Sequence, residues 1–471
     1  MKLHNTLSRE VEEIKPLNSP EVTVYTCGPT VYDYPHIGNW FTFIRYDVLV
    51  RALRAGGFKP KWVMNITDVG HLVSDEDEGE DKLEVGAKRE GKTAWAIAEK
   101  YTEYFKKGLK RLNFLQPNYL ERATDHIEEQ IDLVKKLEVK GLTYTIDDGV
   151  YYDTSKFPKY GELAKLDLEN LKAGARVTLN PQKKNPTDFA LWKFSPKAGN
   201  RDMEWGSPWG KGFPGWHLEC SAIAMKYLGE TIDIHAGGID HIPTHHTNEI
   251  AQSEGATGKK FVNCWMHGNF ALVDGKKMAK SAGTFITLED IEKKGFSPEA
   301  FRLLVLESHY RTEAHFSWQN LEAAQNRLKS IQNWADLRFQ PLDVHLTKEL
   351  KSQAVNLQNT NNLIVDMAAD DLNSPGVLFA INDLMNKMNY VYEENLGQFN
   401  KMLILLEDLL GLSLMNSKDI SADLKELIKK SDEFRLKYQK YAESDKIRSE
   451  LESKHHIGLR QTTLGPVWFR L

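Results

Sequence analysis

Cysteine is scarce in this chain: only Cys27, Cys220 and Cys264 occur among 471 residues. So small and odd a number argues against a disulfide-stapled scaffold and for a reducing compartment, the cytoplasm. No apolar run is long enough to cross a bilayer, so no membrane partner is expected. The opening Met-Lys-Leu-His-Asn has no basic region followed by an apolar core, and a secretory signal is not expected either. Neither sign of charge is in large excess. The net charge of −5 implies no non-specific affinity for nucleic acid, so a nucleic-acid partner would need local basic patches. Repeats and low-complexity tracts are missing, as is the Gly-rich lysine pattern of a P-loop. What remains is a globular composition, 41% hydrophobic and 27% charged, in a chain long enough for roughly two to four domains.

The chain is organised around Val22 to Asn39. Val22-Thr23-Val24-Tyr25-Thr26 is β-branched and aromatic and predicts a buried strand. It breaks at Gly28-Pro29 and Pro35, then passes through Gly38 into a segment with Phe41, Ile44, Val48, Leu49, Ala52 and Leu53 at helical spacing. A strand, a loop with Cys and His, and a helix start aim backbone N–H groups and a helix dipole above the strand end, which suits phosphate. Read alone, the same stretch is equally a loop with a buried thiol and a satisfied imidazole.

Lys61 to Asp68 reads as a second strand, which gives the strand–helix–strand order of a parallel α/β nucleotide-binding core. Ser74 to Lys82 is acidic and reads as a solvated loop without metal-ligand spacing. Thr93–Leu112 and Ala123–Lys140 read as helices. From about Leu142 to Pro208, short strand-like pieces (Val150–Tyr152, Phe189–Trp192) alternate with turn residues, as in an insertion splitting an α/β domain. Core texture returns at Trp216–Met225 and in a strand over Thr231–His235. Beyond Ser317 the stripe Leu321, Ala324, Leu328, Ile331, Trp334 opens a helical region that continues through Leu372–Met388 and Phe399–Leu410, then a basic module ending in Trp468-Phe469-Arg470.

Two constellations carry chemistry. His245 and Glu249 stand at i and i+4 on a helical segment, where both reach one metal ion. Cys27 and Cys220 lie at the ends of strand-like segments, and two thiolates, an imidazole and a carboxylate suit zinc if they converge. Cys264, in the apolar Phe261–Trp265 run, reads as a core thiol. The second constellation is His36-Ile37-Gly38-Asn39 with Lys277-Met278-Ala279-Lys280-Ser281. An imidazole, helix N–H groups and two lysines would stabilise the α-phosphate and departing pyrophosphate of ATP. A lysine-rich surface loop is the bland alternative for the second piece.

These two pieces resemble the His-Ile-Gly-His and Lys-Met-Ser-Lys-Ser signatures of class I aminoacyl-tRNA synthetases. Cys27–Asp33, Gly215–Ser221 and His245–Glu249 resemble, more narrowly, blocks of the cysteinyl-tRNA synthetase family. So do Asn65–Asp68, Asp370–Pro375 and the region from Gly458 to Trp468. The resemblance implies a Rossmann-like α/β catalytic domain with a connective insertion, then an α-helical bundle and a small anticodon-binding domain. The boundaries it suggests are 1–120 and 209–316 for the catalytic halves, 121–208 for the insertion, 317–418 for the bundle and 419–471 for the terminal module. It implies one zinc ion per chain, held by Cys27, Cys220, His245 and Glu249 and binding the substrate thiolate. It places His36, Asn39, Lys277 and Lys280 in catalysis. Gly28, Thr30, Gly38, Gly237 and Asp240, with His36, Asn39 and Lys280, would contact ATP, and Trp216, Thr67 and His235 the amino acid. ATP with Mg2+, cysteine and tRNA(Cys) are the implied substrates, and a monomer the implied state. Three departures stand out: Asn39 replaces the signature's last histidine, Ala279 the loop serine, and Thr247 a glutamate. Two other readings stay open, a cysteine ligase acting on an aminosugar-inositol in mycothiol synthesis and a catalytically retired zinc-containing RNA-binding protein.

Overall fold

The computed structural model describes residues 1–70, 72, 79–166, 180–196, 201–273, 275–276, 284–342, 357–462 and 464–471. Its central sheet has five parallel strands in the spatial order Val262–Gly268, Ile232–Gly238, Glu21–Thr26, Lys59–Ile66 and Tyr119–Arg122. The strand order reverses between Glu21–Thr26 and Ile232–Gly238. Connections leave these two strands in opposite directions and open a crevice beyond their carboxyl ends, where open α/β sheets take ligands. Glu21–Thr26 is buried from Val22 onward, as its alternation of β-branched residues requires.

The helix Ile37–Ala55 starts at His36 in a reciprocal capping box with Asn39 and stops at Gly56. Trp40 stacks on Phe105 beneath it. In sequence, between the two halves of the parallel sheet, comes a separate four-stranded antiparallel sheet, Thr143–Ile146, Gly149–Tyr152, Phe189–Phe194 and Gly212–Pro214. Its last strand lies beyond residue 208. Tyr152, Leu191 and Trp192 pack there on Leu133, Val134 and Leu137 of the helix Ile127–Val139.

Beyond Ser317 come the helices Trp318–Ala335, Leu357–Ala369, Ser374–Lys387 and Glu393–Leu410. Leu321, Ala324, Leu328, Ile331 and Trp334 are all buried and share one core with the helix Ile37–Ala55. A buried charge cluster joins the two regions. Asp47 accepts from Arg51 Nε at 2.7 Å and pairs with Arg302, while Arg51 donates to Asp408 O and Arg302 to Leu410 O, both at 2.6 Å. The two guanidinium groups thereby satisfy carbonyls that the helix Glu393–Leu410 leaves open at its carboxyl end. The terminal module, helices Ala422–Asp432 and Tyr441–His455 with the hairpin Ile457–Thr462 and Gly465–Arg470, is fixed to the bundle by Gln340, which bonds Trp468 N and O at 2.8 and 3.0 Å.

Three local expectations are corrected. The strand expected over Thr231–His235 runs on through Gly237 and Gly238, because His267 and Gly268 extend the partner strand beside them. The acidic stretch ends in a helix, Lys82–Glu90, capped by Asp81, which is buried and paired with Arg201; residues 74–78 fall outside the described residues. His245 precedes the helix Thr247–Thr257, in the π-helical turn Ile242–His246. A wide turn of that kind recurs at functional sites.

Candidate active site and metal centre

A cleft of about 600 Å³ opens above the crevice; Cys27, Cys220 and His245 line it, and Glu249 stands behind them. Cys27 follows the strand Glu21–Thr26, its N–H donating to Ala236 O at 3.2 Å. Cys220, expected at the end of a strand-like segment, stands instead in the first turn of the helix Leu218–Leu228. His245, in the last part of its turn, stands beside Glu249, with Nε2 3.2 Å from Glu249 Oε1. One donor atom from each of Cys27, Cys220, His245 and Glu249 lies within 4.8 Å of the others, and all four residues are buried.

The donors fit a soft divalent metal such as zinc. Each nitrogen or oxygen ligand is held from behind and leaves one atom to the centre. Glu249 Oε2 lies 3.0 Å from His235 Nε2, while Glu249 Oε1 has no hydrogen-bond partner among the described residues. His245 Nδ1 lies 2.9 Å from His217 Nδ1 and thus leaves Nε2 to the centre. Cys27, His235, His246 and Glu249 form a second set within the same distance. His246, however, is engaged on both sides, by Cys27 Sγ at 3.3 Å and His267 Nε2 at 2.7 Å, and neither His246 nor His235 lines the cleft. The set with Cys220 and His245 faces the space a substrate enters.

Burial resists ionisation of Cys27, yet its bond with Cys220 and the imidazoles of His246 and His241 bring the thiol well below its usual range. Cys220 is pushed well up by burial and by Cys27.

The same cleft is lined by Gly28, Thr30, His36, Asn39 and Asp240, with Gly238 and Phe285. Gly28 brings its backbone against Asn65: a Cβ there would stand 1.6 Å from Asn65 O. Gly237 lies under the imidazole of His246, where a Cβ would come within 2.3 Å, and Gly38 belongs to the first helical turn; neither lines the cleft. Burial lowers the pKa of His36, so the ring is neutral at pH 7. Its Nδ1 accepts the Asn39 N–H at 3.2 Å, which leaves the proton on Nε2 as a donor. Asn39 Oδ1 accepts the His36 N–H at 3.1 Å, which fixes the amide and turns its NH2 outward. Lys277, Ala279 and Lys280 fall outside the described residues.

Of the residues expected at the amino acid, Trp216 and Thr67 line the cleft, and Trp216 packs on His245 with ring centroids 4.4 Å apart. His235 stands behind Glu249 instead. Sequence reasoning passed over His217, His241, His246, Asn65 and Glu219. Glu219 is buried beside Cys220, with burial and the charges of Asp68, Cys27 and Glu249 pushing its carboxyl well above the usual range against a bond from Thr67. Its position between Trp216 and Cys220 was the one signal available.

A parallel sheet with a crevice at its strand reversal, a capped helix start and a split insertion together define the class I aminoacyl-tRNA synthetase fold. Residues 13–326 match the family model described as tRNA synthetases class I (C) catalytic domain. The chain is similar to the cysteine–tRNA ligase of Treponema denticola, 47% identical over 88% of this chain and 86% of that one. It is also similar to cysteine–tRNA ligase 1 of Burkholderia lata (43%, covering 96% and 94%) and to the Chlorobaculum tepidum enzyme (39%, covering 99% and 98%). It belongs to the cysteinyl-tRNA synthetase family. The solved methionyl-tRNA synthetase of Mycobacterium tuberculosis bound by methionyl-adenylate shares the fold, with a TM-score of 0.60 at 14% identity over 85% of this chain and 93% of that one. Among the described residues no helix is long and apolar enough to cross a membrane.

Proposed function

We propose that this chain ligates cysteine to tRNA(Cys) at the expense of ATP, acting as a monomer in the cytoplasm. The observation that carries this reading is one cleft that meets both the Cys27–Cys220–His245–Glu249 set and the His36–Asn39 helix start. Cys27, Cys220, His245 and Glu249 would hold zinc, which when bound supplies a soft Lewis acid that prefers a thiolate to the hydroxyl of serine. His217 and His235 keep His245 and Glu249 in place from behind. Trp216 closes the amino-acid side and excludes water.

ATP, with Mg2+, lies along the His36–Asn39 helix start. The cysteine carboxylate attacks its α-phosphorus, pyrophosphate leaves, and cysteinyl-adenylate forms. His36 Nε2–H, the Asn39 amide and the N–H groups at the start of the helix Ile37–Ala55 are donors to the phosphate oxygens, and their contribution is positioning and charge stabilisation. Asn39 donates without a charge, so more of the charge stabilisation falls to the helix dipole and to Lys277 and Lys280. A ribose hydroxyl at the tRNA 3′ end then attacks the activated carbonyl and releases AMP.

The region after Ser317 supports tRNA as the acceptor over an aminosugar. In the terminal module Leu436, Tyr438 and Tyr441 are exposed beside Arg435, Lys437 and Lys440, a combination suited to unpaired bases. Cysteine-dependent exchange of pyrophosphate into ATP, followed by transfer to tRNA or to an aminosugar-inositol, tests the reading. Exchange with transfer to tRNA(Cys) is expected. Transfer to the aminosugar alone, or no exchange, contradicts it.

A further inference from the structure

Glu219 is a buried carboxylate that the two-step reaction leaves without a task. It is 2% exposed, lines the cleft, and precedes Cys220 in the first turn of the helix Leu218–Leu228. A chain of hydrogen bonds fixes how it is presented. Gly28 N–H donates to Asn65 Oδ1 at 2.8 Å, which settles the orientation of that amide. Asn65 Nδ2 then donates to both Thr67 Oγ1 and Glu219 Oε1 at 3.1 Å. Thr67, already accepting from Asn65, donates its hydroxyl hydrogen to the same Oε1. Both neighbours therefore hold one oxygen. The other, Oε2, is buried and has no hydrogen-bond partner among the described residues.

We propose that Glu219 Oε2 receives the α-ammonium group of the substrate amino acid. The inference rests on the reading that cysteine binds in this cleft. Oε2 is the free oxygen, and among the described residues no lysine or arginine is a hydrogen-bond partner of Glu219. A buried carboxyl oxygen left unpaired is costly, and an arriving ammonium both pairs it and favours its ionised form. Chain connectivity supplies the match. Three bonds separate the sulfur of cysteine from its ammonium nitrogen, so a sulfur held beside Cys220 brings the ammonium to the carboxylate of the preceding residue. Glu219 would then read the amino end while the metal ligands read the thiol. A thiol lacking the amino group would lose that contact.

Equilibrium binding to the zinc-loaded protein tests this, with cysteine and 3-mercaptopropionate as probes, in wild type and Glu219→Gln. The amide keeps the Asn65 and Thr67 bonds on its oxygen and turns an NH2 toward the ammonium. A weakening of about 10- to 100-fold is expected for cysteine, the size of a charge-assisted hydrogen bond lost. Affinity for 3-mercaptopropionate and the zinc content should stay as in wild type. Equal weakening of both thiols, which a merely structural role would give, overturns the proposal, and so does unchanged cysteine binding. If Glu219→Gln fails to fold, Glu219→Asp and the wild type decide: wild type should prefer cysteine to 3-mercaptopropionate by about 10-fold or more, and parity overturns the proposal. Failure of zinc-loaded wild type to bind cysteine at all overturns the underlying reading as well and is told apart by that result.

Discussion

His36 and Asn39 hold each other by two bonds, His36 N–H to Asn39 Oδ1 at 3.1 Å and Asn39 N–H to His36 Nδ1 at 3.2 Å. The residue that departs from the signature is thus both a helix cap and an oriented amide donor. Asn39→Asp keeps the capping oxygen but replaces the outward NH2 with negative charge. Its thermal stability should match wild type, while pyrophosphate exchange falls by about 10²- to 10³-fold, as when one phosphate-facing donor is removed. Asn39→Ala should lose both, with about 1 kcal/mol of stability gone, read by denaturant unfolding.

The 2.9 Å approach of His217 Nδ1 to His245 Nδ1 leaves His245 Nε2 to the metal. His217→Phe preserves the ring's bulk and removes that partner. Zinc affinity, measured by competition with a chelator, should fall by about 10- to 100-fold, with the fold retained.

Gly28 leaves no room for a side chain, since a Cβ would lie 1.6 Å from Asn65 O. Gly28→Ala must displace the end of the strand Lys59–Ile66 or its own loop. The loss in urea unfolding should reach the upper part of the roughly 1–3 kcal/mol range of overpacked sites, and exchange activity should fall with it, because Cys27 moves too.

Asp68 is buried, and burial raises its pKa from 3.8 to about 6 against the hydrogen bonds from Thr124. A raised folded pKa means that the folded state binds the proton more tightly than the unfolded chain. The stability Asp68 contributes is therefore full below about pH 4 and lost as pH rises through about 6, on the order of 3 kcal/mol in all. Compared with Asp68→Asn by unfolding at a series of pH values, wild type should lose stability across this window, and no difference in slope between the two contradicts the assignment.

Periodicity carried the helical half. The stripe Leu321, Ala324, Leu328, Ile331, Trp334 is buried as its 3.6-residue spacing requires, because a packed helix leaves that pattern in any sequence. The approach of His245 to Glu249 was legible for a similar reason, being local. Convergence of Cys27 with Cys220 was not, since it depends on the strand reversal that brings distant segments together. Composition was equally silent on why His245, and not His246, faces the cleft. Adjacent histidines have identical spacing arguments within a turn, and only the π-helical turn Ile242–His246 and the partners His217 and His267 set them apart. Glu219 escaped notice because one buried carboxylate leaves no period to read.

The chemistry of this site turns on where the substrate's sulfur binds. X-ray absorption at the zinc edge of the zinc-loaded protein, recorded without and with cysteine, measures this. Two sulfur neighbours from Cys27 and Cys220, rising to three when cysteine but not serine is added, is the result the account predicts. A sulfur count unchanged by cysteine, or a protein that retains no zinc, would contradict it.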